Sequence, residues 1–222
     1  MITQAIQDYL KVIYTIATEH DRVNTNAIAE RMQVSQASTT GMIKKLSELK
    51  LVTHKPYYGV TLTEYGKKIA LEIIRHHRLL ELYLAEALGY SWDEVHEEAE
   101  KLEHHISEEF EERVAAFLGD PRTDPHGAPI PTREGYVEEQ SLIKLTEAKE
   151  GKRVVVKQVS DGDSEMLRYL GKIGIYPEVE LNVLERIPFG GPLRISIDGN
   201  EHHLGEAITN NIFVEGEEVI SC

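Results

Sequence analysis

Cysteine is almost missing from this chain: Cys222 is the only one among 222 residues. That excludes an intrachain disulfide and any zinc site built on several thiolates. Metal ligands, where the chain has them, must be His, Asp or Glu. Long apolar runs are missing as well. None approaches the ~20 residues that span a bilayer, and Met1-Ile2-Thr3-Gln4 lacks the basic-then-apolar order of a signal peptide. The expectation is a cytoplasmic protein with no membrane partner. No Glu-x-x-His pair occurs, which argues against a di-iron bundle, and no nucleophile or substrate-cleft motif stands out. The chain is therefore read as a non-enzyme with no small-molecule substrate.

Positive charge is scarce overall, with a net charge of −14. Its distribution is uneven. Residues 1–70 carry nine Lys/Arg against six Asp/Glu, whereas residues 71–222 carry fifteen against thirty-two. A mildly basic head thus precedes a strongly acidic body, and a nucleic-acid duplex would be attracted only to the head.

Apolar periodicity predicts a helix over 3–19, on which Ile6, Leu10, Ile13, Tyr14 and Ala17 recur at helical spacing. Asn24-Thr25-Asn26 caps a short helix over 27–32, and after a tight turn Ser35 caps a third over 36–49. That is the helix-turn-helix pattern. Residues 51–62 read as a two-stranded wing. A long helix over 64–87 follows, then another over 93–117, and a short one near 136–142. Between these last two, residues 119–135 hold four prolines and three glycines and read as irregular. From about 152, β-like runs at 154–156, 179–184, 193–197 and 211–214, with a helix over 164–170, suggest a small barrel. The fold class is multidomain α+β: a winged helix-turn-helix over 1–63, an all-α domain over 64–142, and a small β-barrel over 143–222.

Two patterns carry chemistry. The first lies at the start of the third helix, where Ser35, Gln36, Ser38, Thr39 and Thr40 offer short polar side chains to base edges or phosphates. Lys44, Lys45 and, on the wing, Lys55 can neutralise phosphates, with His54, Tyr57 and Tyr58 beside it. The second is the run His96-Glu97-Glu98-Ala99-Glu100-Lys101-Leu102-Glu103-His104-His105. On a helix, His96, Glu100, Glu103 and His104 fall on or near one stripe, a donor set suited to a first-row divalent metal. His77 and Glu81 repeat the four-residue spacing one helix upstream. Read alone, Asp124-Pro125-His126 and Asp161-Gly162-Asp163-Ser164-Glu165 are better taken as polar turns. A solvated acidic face is the bland alternative, but desolvated carboxylates repel one another unless a cation or proton neutralises them.

The motifs Arg75-His76-His77-Arg78-Leu79-Leu80-Glu81, Val95-His96-Glu97-Glu98-Ala99-Glu100, Glu103-His104 and Gly127-Ala128-Pro129-Ile130-Pro131 together resemble the diphtheria toxin repressor family of metal-dependent transcriptional repressors. The likeness covers the whole chain and implies that the all-α domain over 64–142 is a dimerisation domain and that the barrel is of the Src-homology-3-like, FeoA-related type. It implies a primary regulatory site at Asp8, Glu100, Glu103 and His104. Iron-responsive members carry Met and Cys at the first two of these positions, so Asp8 and Glu100 resemble the manganese-responsive branch. A second site is implied at His77, Glu81 and His96 with barrel groups or, as favoured here, at Glu81, Asp124, His126 and Asp161, with His77 and His96 as alternative or supporting groups. Short manganese regulators of the family place a second carboxylate one turn after the first-helix Asp. Lys11 stands there in this chain, so their closely spaced metal pair is not expected.

The resemblance implies a homodimeric repressor of metal-homeostasis genes that binds a double-stranded DNA operator when loaded with Mn²⁺. Repulsion among the metal-free carboxylates would loosen the first helix. The alternatives are an Fe²⁺-dependent repressor of the same family, a carboxylate/His metalloenzyme and a metal store.

Overall fold

The computed structural model describes residues 2–20, 22–55 and 58–219. Tyr57 of the expected wing and Cys222 lie outside the described residues. The chain forms two compact units. One comprises Met1–His77, Glu103–Ile106 and Pro131–Tyr136, and the other Arg78–Leu102, Ser107–Ile130 and Val137–Cys222.

The first unit is built on α1 (Gln4–Glu19), α2 (Thr25–Arg31), α3 (Gln36–Glu48) and the hairpin β1 (Val52–Lys55) and β2 (Gly59–Leu62). Ile6, Leu10 and Ile13 of α1 are fully or nearly fully buried with Ile28, Ile43, Leu46 and Val60. Asn24 starts α2 by accepting from the Ala27 amide at 2.8 Å, and Ser35 starts α3 by accepting from the Ser38 amide at 3.2 Å. Gln33, at φ 54°, turns the chain between these two helices. The wing pairs Val52 with Leu62 and Lys55 with Gly59. Next comes α4 (Glu64–Leu88), whose first part belongs to this unit.

The second unit contains the rest of α4, α5 (Val95–Leu102), α6 (Glu108–Phe117) and the C-terminal sheet. Leu79, Val114, Ala115 and Ile130 form a small core. The sheet runs β3 (Ile143–Lys144), β8 (Ile212–Val219), β4 (Lys152–Val159), β5 (Glu180–Arg186), β6 (Leu193–Ile197) and β7 (Asn200–Leu204), with every pair antiparallel. It wraps one apolar core that includes Val154, Val156, Leu181, Val183, Ile195 and Val214. Leu167 and Leu170 of α7 (Ser164–Ile173) enter that core, and α8 (Glu206–Thr209) is a single turn before β8. Asp163 caps α7 by accepting from the Glu165 and Met166 amides.

Two expected helices differ. The stretch 93–117 is two helices, because the chain leaves α5 after Leu102 and restarts where Ser107 caps α6. Glu103 and His104 thus sit in the turn between them, off any helical stripe. No helix forms near 136–142: Tyr136, Glu138, Glu139, Gln140 and Ser141 are exposed, and so short a helix needs a packed face to persist.

Candidate metal centres

The first cluster lies within the first unit. Asp8 projects from α1, and the turn after α5 delivers Glu103 and His104. His104 Nε2 lies 2.7 Å from Asp8 Oδ1 and 3.3 Å from Glu103 Oε1. Its Nδ1 lies 3.0 Å from Gln7 Oε1, an acceptor, so the Nδ1 proton is committed there. Nε2 is then the nitrogen facing both carboxylates, and a proton or a metal ion on it satisfies the arrangement. Potential ligand atoms of Asp8, Glu103 and His104 all lie within 4.8 Å of one another.

Glu103 is fully buried, yet it is well compensated. Lys11 Nζ donates to both its oxygens at 2.8 Å, and His77 Nδ1 lies 2.6 Å from Oε2. Burial works against the charge, but His77 and Lys11 outweigh it and hold the carboxyl below its usual range. The expected repulsion of metal-free carboxylates is therefore relieved at Glu103 by cations of the chain itself. Glu100, three residues earlier, is carried by α5, where its Oε1 is 3.9 Å from His96 Nε2.

The second cluster lies within the second unit and centres on Glu81 of α4. Its Oε1 is 3.2 Å from His96 Nδ1, and its Oε2 is 3.8 Å from His126 Nδ1. Asp161, in the loop before α7, reaches within 3.6 Å of His96 Nδ1. Asp124 completes a fully buried group with Glu81 and His126. Its Oδ1 accepts from the His126 and Ala128 amides at 2.8 and 3.0 Å. Its Oδ2 is buried without a hydrogen-bond partner, with Arg78 Nε 3.5 Å away.

His126 donates through Nε2 to the Trp92 carbonyl at 2.7 Å. That leaves Nδ1 buried and without a hydrogen-bond partner. A backbone contact that fixes one ring nitrogen and aims the other is the usual support of a metal-binding imidazole. Burial, reinforced by the Glu81 charge, raises the Asp124 carboxyl to about 7. Burial alone would depress His126 and His96. The neighbouring carboxylates prevail and push His126 up to about 9 and His96 to about 10. Clustered buried carboxylates that hold protons on the neighbouring imidazoles, together with buried polar atoms lacking hydrogen-bond partners, fit a divalent cation.

The loop carrying Asp124 and His126 is anchored to the sheet. His126 O accepts from the Val159 amide at 2.9 Å. Gly127 has φ +86°, and a Cβ there would stand 1.9 Å from Lys157 O. Lys11 and Gln7 at the first cluster, and Trp92 and Arg78 at the second, take up these supporting positions; sequence patterns carry little trace of such roles. Spacing does put Lys11 three residues after Asp8, on the same face of α1.

At the candidate DNA surface, Ser35, Gln36, Ser38, Thr40, Lys44, Lys45 and Lys55 are exposed. Thr39 is a correction. It is completely buried and its hydroxyl donates to Ser35 O at 3.2 Å, because its place on α3 faces the core beside Ile43.

A winged helix-turn-helix whose first helix brings a carboxylate to a carboxylate/His cluster able to hold a metal ion defines a class: the metal-responsive DNA-binding regulators. Residues 1–60 match the family described as "Iron dependent repressor, N-terminal DNA binding domain". Residues 63–132 match "Iron dependent repressor, metal binding and dimerisation domain", and residues 143–216 match "FeoA domain". The chain is 32% identical over 206 residues to the iron-dependent repressor IdeR of Mycobacterium tuberculosis (strain ATCC 25618 / H37Rv), covering 87% of this chain and 89% of IdeR. It is 33% identical over 107 residues to the HTH-type transcriptional regulator MntR of Bacillus subtilis (strain 168), covering 48% of this chain and 75% of MntR. Among solved structures, a manganese-dependent transcriptional repressor in complex with manganese superposes with a TM-score of 0.88 at 44% identity, covering 94% of this chain and 98% of that one. The apo form of the manganese-activated repressor ScaR gives 0.81 at 36%, covering 94% and 99%. The chain belongs to the iron-dependent repressor family, the diphtheria toxin repressor family of metal-dependent transcriptional repressors, and is not an enzyme. No described helix is long and apolar enough to cross a membrane.

Proposed function

We propose that the protein is a cytoplasmic, homodimeric repressor that responds to Mn²⁺ and controls metal-homeostasis genes. The observation that carries this reading is the meeting of Asp8, from the DNA-reading head, with Glu103 and His104. Asp8, Glu103 and His104 would hold the regulatory ion. Glu81, Asp124, His126 and Asp161 would hold a second, with His96 beside them and His77 supporting Glu103. A bound divalent ion supplies positive charge shared by ligands from separate segments. Asp8 then ties α1, and with it the reading head, to the segment carrying Glu103. His104 is held in the ligating tautomer by Gln7. Fixing two heads relative to each other matters because two recognition helices must sit ~34 Å apart, one DNA turn, or a multiple of it.

Manganese is favoured over later metals by the donors: carboxylates and imidazole, with no thiolate or thioether in either cluster. Manganese-dependent relatives among the similar structures support the same choice. Ser35, Gln36, Ser38, Thr40, Lys44, Lys45 and Lys55 form the proposed contact with the operator. An operator is first selected from random duplexes with the metal-loaded protein. Gel-shift titrations with Mn²⁺ and with anaerobic Fe²⁺ then compare wild type and Asp8→Ala. Asp8→Ala is expected to abolish metal activation. Unchanged activation refutes the reading, and activation by Fe²⁺ alone favours the iron-responsive alternative.

A further inference from the structure

The feature that the family pattern does not explain is the ammonium at the first cluster. Glu103 is the fully buried carboxylate there, and both its oxygens accept from Lys11 Nζ at 2.8 Å. Asp8 and Lys11 stand on one face of α1, so the same helix offers the cluster a ligand and a competing cation. The lysine side chain is 16% exposed, and its flexible four-carbon stem can carry the charge out to water.

We propose that Lys11 is a resident counter-cation that a divalent metal must expel from Glu103, and that it thereby sets the metal concentration at which the protein responds. The inference rests on the reading that Asp8, Glu103 and His104 bind the regulatory ion.

Two observations and one electrostatic argument support competition over simple packing. The ammonium engages both oxygens of a carboxylate that stands with Asp8 and His104 in the group able to hold the ion. His77 already lies 2.6 Å from one of those oxygens, so Glu103 carries donors beyond what a buried structural carboxylate needs. A positive charge a few ångström from a divalent ion also opposes its binding strongly in a site shielded from water. Loading is thus an exchange: Glu103 gives up the lysine ammonium, which passes to solvent, and takes the metal.

The expected consequence is a metal-free state that is self-neutralised and a metal affinity lower than the ligands alone would give. Removing the charge should tighten binding and also weaken the metal-free fold, since a buried carboxylate loses a partner. A purely structural lysine would instead lower both.

The test uses the full chain and measures free Mn²⁺ by electron paramagnetic resonance, independently of DNA. Lys11→Met is expected to bind Mn²⁺ at the first cluster about tenfold or more tighter than wild type. Lys11→Arg, which keeps the charge, should stay near wild type. On the unaltered protein, amine-reactive footprinting read by peptide mass should show Lys11 slow to label without metal and faster with Mn²⁺. Equal or weaker Mn²⁺ binding by folded Lys11→Met overturns the proposal. So does labelling of Lys11 that Mn²⁺ leaves unchanged, a result that does not depend on any variant folding. Asp8→Ala separates the two readings. If it weakens Mn²⁺ binding while Lys11→Met does not tighten it, only the role of Lys11 falls. If it leaves Mn²⁺ binding unchanged, the regulatory site falls and this inference with it.

Discussion

Gly127→Ala is the sharpest perturbation of the second cluster, because it touches no ligand atom. The new Cβ would stand 1.9 Å from Lys157 O, 2.9 Å from Lys157 C and 3.1 Å from Gln158 Cα. All three are backbone atoms of β4, so no side chain can swing aside. Alanine at φ +86° also costs ~1–2 kcal/mol in backbone strain. Relief requires the loop to retreat from β4 by more than an ångström, which stretches the 2.9 Å bond from the Val159 amide to His126 O, worth ~1 kcal/mol net. The sum is ~2–3 kcal/mol, or roughly 30- to 160-fold if it is expressed in metal binding. His126 immediately precedes the moved residue and Asp124 stands three positions before it, so the second class of Mn²⁺ site should weaken by that factor. The class assigned to Asp8, Glu103 and His104 should keep its affinity. Stoichiometric Mn²⁺ titration followed by electron paramagnetic resonance resolves the two classes. Two classes of unaltered affinity in a folded Gly127→Ala protein would refute the argument that the loop-to-sheet contact positions these ligands.

Two further outcomes follow from the same geometry. His126 and His96, raised to about 9 and about 10, carry protons at pH 7.5 in the metal-free protein, and a metal taken through Nδ1 must displace them. Loading the second cluster should therefore release protons, and its affinity should climb as pH rises toward 9–10 and fall toward pH 6. Calorimetry in buffers of differing ionisation enthalpy reads this directly, and proton uptake on loading would contradict it. Ser35→Ala removes the cap accepting from the Ser38 amide and should cost ~1 kcal/mol of stability, seen as a lower thermal midpoint for the DNA-reading unit.

Much of the architecture was legible because it rests on local rules. Helical periodicity marked α1, and cap residues placed the starts of α2 and α3 to within a residue or two. Apolar runs found β4, β5, β6 and β8. They missed β7, Asn200–Leu204, whose sequence Asn-Glu-His-His-Leu has one buried position and owes its state to pairing with β6. They also ran one helix through Glu103 and His104, since the charged stretch is helix-prone throughout and the break is enforced by the Ser107 cap and by the contacts of Glu103. Thr39 was misjudged for a related reason: a small polar residue reads as surface until the helix is docked and its face is known.

By itself the sequence determined the types of donor available, the absence of thiolate pairs, the basic head and acidic body, and the family to which the chain belongs. Those are properties of composition and short spacing, and they survive unfolding. Only the tertiary structure decided which donors meet. Asp8 and His104 are 96 positions apart in the chain and 2.7 Å apart in space. Lys11, an apparent gap in a ligand pattern, proved to sit on the carboxylate that the pattern identified. Electrostatic energy depends on distance and burial, and neither exists for these groups until the helices pack.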